Sequence, residues 1–274
     1  MTDKFAFRGQ ITDPPRSSRC GAGLLIALIV LYGLYLLHVL PRSREIWVPC
    51  AIMLILPGAI ASRSIYVVHF NLFLFCLYLM GFFPHFPRYP FNHLTLLVLY
   101  AYVVMLIPAL RGSVGWLREG KFDAKIWTLV LITVIVPAAA LMAWVHWFSP
   151  DLTRYSNIAP NFPFWAAIVY GIGSSAFNAA LEEITWRGVM LEALDSAFGP
   201  GVWAVVIQAI SFAAAHYRNG FPNGILGSAM VFVFGIMLGI IRRKSKGILG
   251  CWFAHTFVDT SIYCLVFYFF HKAS

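Results

Sequence analysis

Long, nearly continuous apolar runs separated by short polar stretches make up most of the chain. A helix needs about 20 mainly apolar residues to cross the hydrocarbon core of a bilayer, and most of these runs approach that length. They lack the alternation of apolar and polar residues that a transmembrane barrel requires. The pattern predicts an all-α, polytopic transmembrane bundle of eight or nine helices, at roughly 22–40, 46–61, 64–83, 93–110, 126–147, 163–181, 200–217, 223–241 and 248–270.

The composition strengthens this prediction. Of the 274 residues, 60% are hydrophobic and only 11% are charged, whereas a soluble domain has about 25% charged residues. This excludes most soluble enzymes, disordered regulators and secreted disulfide scaffolds, and the five cysteines include no CxxC pair. We therefore expect an integral membrane protein, and the compact chain favours a prokaryotic plasma membrane.

The net charge of +9 raises the question of nucleic-acid binding. Lys and Arg cluster between the apolar runs, at Arg16 and Arg19, in 111–125 and in 242–246. This is the distribution that the positive-inside rule describes for membrane proteins, whereas a nucleic-acid groove interleaves basic residues with exposed aromatic ones. The sequence therefore predicts a cytoplasmic N-terminus, the lipid bilayer as partner and no nucleic-acid partner.

The two halves of the chain differ in the polar residues that interrupt their apolar runs. In the N-terminal half, His38, His69 and His146 are isolated near the predicted span ends, where headgroup contact or packing is their expected role. We divide the chain into N-terminal transmembrane helices at 1–160 and a transmembrane core at 161–274. Ionisable residues inside a membrane are costly and indicate functional sites.

Three polar clusters interrupt the apolar sequence of the C-terminal half. Their members share helical spacing within or beside strongly apolar runs: Asn178, Glu182, Glu183 and Arg187; Phe212 and His216; His255 and Asp259. We expect Glu192 and Asp195, which follow the first cluster, to mark a polar helix face or the end of that helix. The three clusters together indicate a site, although each alone is also typical of polar contacts that lock helices together.

Helical spacing suggests separate tasks for the two adjacent glutamates. Glu183 and Arg187 are four residues apart and can pair on one helix face. Glu182 then points about 100° away, which leaves it free to act as a base. Asn178 precedes Glu182 by one turn and is a candidate hydrogen-bond partner for it.

A turn at Gly199 and Pro200 decides whether the clusters meet. About as many residues lie between Glu182 and the turn as between the turn and His216. An antiparallel hairpin that folds at this turn therefore places Glu182 and His216 at the same depth in the membrane. A span that ends at 181 would instead separate them by roughly 25 Å. We favour the hairpin, with 163–198 as one long element that bends at 171–173.

At these residues the sequence resembles the CPBP family, also called the Abi or CAAX protease family of intramembrane endopeptidases. The family's EExxxR, FxxxH and HxxxN motifs match at Glu182 to Arg187, at Phe212 to His216 and at His255 to Asp259. The resemblance implies that Glu182 and His216 activate a water molecule, and that His255 and residue 259 stabilise the oxyanion. It also implies that Arg187 holds the first helix in register through Glu183. By the same resemblance, 161–274 is the catalytic transmembrane core, and the N-terminal helices at 1–160 are of variable type.

The resemblance further implies a substrate and the absence of a cofactor. The substrate is a membrane-anchored or prenylated peptide or protein, cut near its C-terminus. Asp259 departs from the family's frequent Asn, and an ionised carboxylate would repel an oxyanion. Asp259 must therefore be protonated, orient His255, or ligate a metal.

Three alternatives stay open at this point. Two carboxyls and two histidines also suit Zn²⁺, as in a metal-dependent membrane protease, although the sequence contains no HExxH motif. A non-catalytic scaffold or bacteriocin-immunity-type protein would keep the fold without the chemistry. A transporter with a proton relay is a third class, but the polar residues gather in one half, without a matched pair of broken helices.

Overall fold

The computed structural model describes residues 16–37, 39, 46–81, 91–153, 155, 163–218 and 220–271. His38 and the predicted cytoplasmic N-terminal residues 1–15 lie outside this part. The helices are α1 Arg19–Leu36, α2 Trp47–Ala61, α3 Ile65–Gly81, α4 Phe91–Leu106, α5 Pro108–Arg111, α6 Ala124–Phe148, α7 Phe164–Glu183, α8 Leu191–Phe198, α9 Val202–His216, α10 Gly224–Ser245 and α11 Leu249–His271. A π-helical segment, Ile184–Met190, joins α7 to α8.

The predicted all-α bundle is confirmed. Within the described residues, nine helices have 15 or more residues, in agreement with the eight or nine expected from the apolar runs. Four of the described helices, α1, α6, α10 and α11, are long and apolar enough to cross a membrane. α1 and α3 pack against α8, which connects the N-terminal helices to the C-terminal ones.

One end of the bundle, here called the basic end, is formed by the loops 112–123 and 246–248 and the turns at 62–64 and 199–201. The Lys121 N–H donates to the Ser245 carbonyl over 2.7 Å, and the Ile248 N–H donates to the Arg118 carbonyl over 2.9 Å. Exposed basic side chains cluster here: Arg16, Arg63, Lys121, Lys244 and Lys246. The positive-inside rule predicts that this end is cytoplasmic.

Of the two positions expected for Glu192 and Asp195, the polar helix face is wrong and the end of the helix is confirmed, because both lie in α8, which ends at Phe198. Both are buried, and they pair with Arg242 and Arg243 on α10, the first pair over 3.3 Å. These two arginines, expected in a loop, lie in the last turn of α10. A buried carboxylate needs such a partner because it has lost its hydration, and the two pairs fasten α8 to α10.

Gly235 and Gly239 lie in the contact between α9 and α10. A Cβ atom on Gly239 would lie 2.7 Å from Val205 Cγ1, and one on Gly235 would lie 3.1 Å from Ala209 Cβ. Small residues allow two helix backbones to approach this closely. α9, which carries the second motif, is thereby held against α10.

The bend expected at 171–173 does not interrupt the helix, and α7 is α-helical throughout 164–183. The irregularity lies one motif later, in the π-helical segment 184–190, and such segments are frequent at functional sites. Gly171 serves another purpose. A Cβ atom there would lie 2.3 Å from Tyr263 Cδ1, so the glycine permits close packing of α7 on α11.

This contact predicts opposite effects for two neighbouring glycines. Gly171→Ala is expected to cost about 1–3 kcal/mol of unfolding free energy because it overpacks the α7–α11 contact. Gly173→Ala is the matched control, since a Cβ atom there has nothing within 4 Å and alanine favours the helix by about 0.5–1 kcal/mol. Unfolding in mixed micelles measures both. Equal stabilities would contradict the packing assigned to Gly171.

His69 has the packing role expected of it, but it is not isolated. Its Nδ1 lies 2.7 Å from the Tyr100 hydroxyl and its Nε2 lies 2.8 Å from Ser113 Oγ. The imidazole is buried between α3, α4 and the start of the 112–123 loop. His146, near the end of α6, is exposed, in keeping with an interfacial position.

Candidate active site

A helical hairpin brings the first two motifs together. The helical run from α7 through the π-helical segment to α8 continues to Phe198, and Gly199 adopts a left-handed φ of 84° before α9 begins at Val202. The predicted hairpin is confirmed, and the alternative span that ends at 181 is wrong. α11 packs against α7 and adds the third motif to the same region.

A buried ion pair forms the centre of the site. Arg187 Nη1 donates to Glu183 Oε1 over 2.9 Å, which confirms the predicted pair. The same oxygen accepts a hydrogen bond from His255 Nδ1 over 2.7 Å. All three side chains are at most 2% exposed. Each charge needs the others because an unpaired charge is very unfavourable when buried.

Phe212 closes one side of this ion pair. Arg187 Cζ lies 4.4 Å from the centre of the Phe212 ring, a distance typical of a cation–π interaction. The ring also contacts His216 and His255, with centroid distances of 4.7 and 5.8 Å. Phe212 therefore fixes the spacing between the guanidinium and both imidazoles.

Glu182 is the more accessible of the two glutamates, with 20% of its side chain exposed against 1% for Glu183. Its Oε1 accepts a hydrogen bond from Asn178 Nδ2 over 3.3 Å, as predicted. Its Oε2 lies 3.4 Å from His255 Nε2 and has no hydrogen-bond partner among the described residues. The two glutamates thus approach opposite nitrogens of His255.

Asp259 joins the site through two contacts. Its Oδ2 accepts a hydrogen bond from Asn178 Nδ2 over 2.9 Å, and its Oδ1 lies 3.5 Å from His255 Nε2. The sequence did not predict the link between Asn178 and Asp259. It depends on how α11 packs against α7, which helical spacing within one motif does not reveal.

His216 ends α9 beside the cavity. Its Nδ1–H donates to the Phe212 carbonyl over 3.0 Å. A carbonyl can only accept, so in the neutral ring Nε2 is the unprotonated nitrogen. His216 interacts electrostatically with Glu182, and the backbone of Gly220 packs against its ring.

A cavity of about 190 Å³ adjoins these side chains. Its polar wall consists of His216, His255 and Asp259, and Glu182 lies beside this wall. The other lining side chains are apolar and come from α6, α9, α10, α11 and the 221–222 turn. Within the described residues, no group of three or more His, Cys, Asp or Glu side chains is arranged to hold a metal ion.

Two further polar side chains support the site and were missed in the sequence. Gln208 is fully buried, and its Nε2 donates to the Gly235 carbonyl over 2.9 Å. Trp252 Nε1 donates to the Ala176 carbonyl over 2.8 Å and ties α11 to α7. The sequence did contain a signal for Gln208. Its amide lies four residues before Phe212 and eight before His216, so all three share one face of α9.

Comparison with known families gives a match in the C-terminal half of the chain. Residues 160–261 match the family model described as type II CAAX prenyl endopeptidase Rce1-like. The chain carries an Rce1-like domain. The resemblance inferred from the three motifs is thereby confirmed, and the eight predicted site residues lie within the Rce1-like domain. No curated protein and no solved structure matches the chain.

The Rce1-like domain and the apolar helices together establish the general class of the protein. It is an integral membrane protein whose residues 160–261 are similar to the Rce1-like CAAX prenyl endopeptidases. At the level of the family, the Rce1-like domain implies an intramembrane protease that acts on a membrane-associated substrate.

Proposed function

We propose that the protein is an intramembrane endopeptidase that hydrolyses a peptide bond near the C-terminus of a lipidated or membrane-embedded protein or peptide. The observation that carries this proposal is the convergence of His216, His255 and Asp259 on one apolar cavity, with Glu182 beside them. The three motifs are far apart in sequence, and the fold brings them to one place.

Glu182 and His216 are the groups that would activate water. Oε2 of Glu182 has unused acceptor capacity, and the tautomer of His216 presents Nε2 as a proton acceptor. A base held near a bound water removes its proton as the oxygen attacks the carbonyl carbon, an effect of about 10²–10⁴-fold. Both groups are held on packed helices, which limits their motion.

His255 is the group that would stabilise the tetrahedral oxyanion. Glu183 accepts the Nδ1–H hydrogen bond, and Arg187 and Phe212 surround that pair, so the imidazole orientation is fixed. A preorganised donor in a low-dielectric site stabilises developing negative charge strongly. Nε2 of His255 is the nitrogen directed toward Glu182 and Asp259.

The cavity supports a substrate that reaches the site from the bilayer. Val136 on α6 and Val233 on α10 line the cavity and are also exposed on the side of the bundle. An apolar chain that lies in the membrane can therefore enter between these helices without crossing water. This favours a prenylated or membrane-embedded substrate over a soluble peptide.

The test is a cleavage assay in liposomes with a panel of prenylated, acylated and unmodified membrane peptides. We expect wild-type protein to cut at least one lipidated or membrane-embedded peptide near its C-terminus, with and without a strong chelator. His216→Ala is expected to lower kcat by about 10²-fold or more because it removes one of the groups that activate water. Mass spectrometry of the products locates the cleaved bond.

The outcomes separate the alternatives. Chelator-sensitive cleavage would favour a metal-dependent membrane protease, with Asp259 and the histidines as ligands. No cleavage of any peptide in the panel would contradict the proposal and favour a non-catalytic scaffold. Arg111→Ala, on the exposed surface of the basic end, is a control that should cleave as the wild type does.

A further inference from the structure

The carboxyl groups of Glu182 and Asp259 are bridged twice across the interface between α7 and α11. On one side, Asn178 Nδ2 donates to Glu182 Oε1 and to Asp259 Oδ2, over 3.3 and 2.9 Å. On the other side, His255 Nε2 lies 3.4 Å from Glu182 Oε2 and 3.5 Å from Asp259 Oδ1. Each of the two carboxyl groups therefore has one oxygen beside Asn178 Nδ2 and the other oxygen beside His255 Nε2.

The charges of this cluster do not balance without a further proton. Glu183 is matched by Arg187, and a doubly protonated His255 would match one of the two remaining carboxylates. Either Glu182 or Asp259 then has no opposite charge. Two like charges so close together in a medium of low dielectric repel strongly, and a proton on one of them removes the repulsion.

Among the described residues, no basic side chain other than His255 lies within 4 Å of either carboxyl group. His216 on α9 donates its Nδ1–H to the Phe212 carbonyl. Phe234 on α10 contacts His255 with its ring and carries no charge. Asn178 Nδ2 and His255 Nε2 act as donors toward the carboxyl oxygens and do not take up a further proton. The further proton is therefore held by one of the two carboxyl groups.

We propose that Glu182 and Asp259 act as one carboxyl pair that holds a single proton, and that Asn178 is the positioning residue that keeps the pair together. The inference rests on the proposed function and adds a proton donor to it. Asp259 lines the cavity, so it is the member of the pair that faces the substrate carbonyl and carries the proton before attack.

The hydrolysis then balances within the pair. Water attacks the carbonyl carbon and its proton passes to Glu182. His255 Nε2 stabilises the negative charge that develops on the carbonyl oxygen, and the proton of Asp259 then passes to this oxygen, which gives a neutral tetrahedral diol. When the C–N bond breaks, Glu182 returns its proton to the leaving nitrogen, and one diol hydroxyl returns its proton to Asp259. The products are a carboxylic acid and an amine, and the pair again holds one proton.

The decisive variant is Asp259→Asn, which keeps the shape and an acceptor for Asn178 but cannot transfer a proton. We expect kcat to fall by about 10²-fold or more, with KM and the melting temperature unchanged. Asp259→Glu restores a carboxyl group and is expected to recover part of kcat. Wild-type kcat in Asp259→Asn would overturn the proposal, because a hydrogen-bond donor would then suffice.

The positioning role of Asn178 has its own test. Asn178→Ala is expected to lower kcat by about 10–100-fold, as small misplacements of reacting groups do, while KM stays unchanged. Ser174→Ala is the matched control one turn earlier on α7, where the hydroxyl donates to the Gly171 carbonyl. Equal kcat values in the two variants would overturn the role of Asn178.

These results are separable from a failure of the proposed function. If wild-type protein cleaves no peptide, the endopeptidase proposal fails and the proton-sharing pair fails with it. If wild-type protein cleaves and Asp259→Asn is fully active, only the pair is overturned. A chelator in every reaction keeps metal-dependent cleavage from contributing to the comparison.

Discussion

Glu182→Gln is expected to lower kcat by about 10²–10⁴-fold, the contribution of a general base, with little change in KM. Glutamine keeps the size of the side chain and an oxygen that accepts the Asn178 hydrogen bond. It cannot take a proton from water. The assay is cleavage of a lipidated peptide in liposomes, with kcat and KM measured separately.

Glu119→Gln is the matched control for this variant. It makes the same chemical change on an exposed side chain of the 112–123 loop, and we expect it to leave both kinetic parameters unchanged. Glu182→Gln protein that melts as the wild type does and keeps its kcat would contradict the role of Glu182 as base. A rise in KM alone would instead indicate that Glu182 binds the substrate.

Arg187→Met is expected to destabilise the fold by about 3–5 kcal/mol, the cost of breaking a buried ion pair from one side. The variant leaves the Glu183 carboxylate buried with His255 as its remaining partner. It also removes the cation that packs on the Phe212 ring. Unfolding in mixed detergent micelles measures the loss of free energy.

The double variant Glu183→Gln/Arg187→Met separates charge from packing. It removes both members of the pair, while glutamine still offers an oxygen to His255 Nδ1. We expect it to be more stable than Arg187→Met alone, because no uncompensated charge remains. If Arg187→Met alone lowers the unfolding free energy by less than about 1 kcal/mol, Glu183 loses its charge with little penalty. That result would contradict a strongly stabilising ion pair between Glu183 and Arg187.

Much of the fold could be predicted because each helix is specified by its own sequence. An apolar run of sufficient length has few alternatives to a helix in a membrane, and so the helix positions of α2, α6 and α11 follow from 46–61, 126–147 and 248–270. The hairpin was predictable from local sequence as well, since the turn at Gly199 and Pro200 lies midway between Glu182 and His216.

The remaining features depend on contacts between distant segments. Asn178 and Asp259 are separated by 81 positions, and nothing local to either residue indicates the other. The burial of Glu192 depends on Arg242 in the last turn of α10, which apolar patterning places in a loop. The π-helical segment at 184–190 is a change of hydrogen-bond register that helical periodicity does not predict.

The ion pair of Glu183 and Arg187 also bears on how the protein is made. Both residues lie four positions apart in one continuous helical run, so the charge of Glu183 is matched before any later helix is synthesised. This lowers the cost of inserting the segment during translation. His255 and Asp259 arrive only with α11, which follows the other site-bearing helices. The nascent chain therefore enters the bilayer with an incomplete site, and the proposed hydrolysis requires that α11 has first joined the bundle.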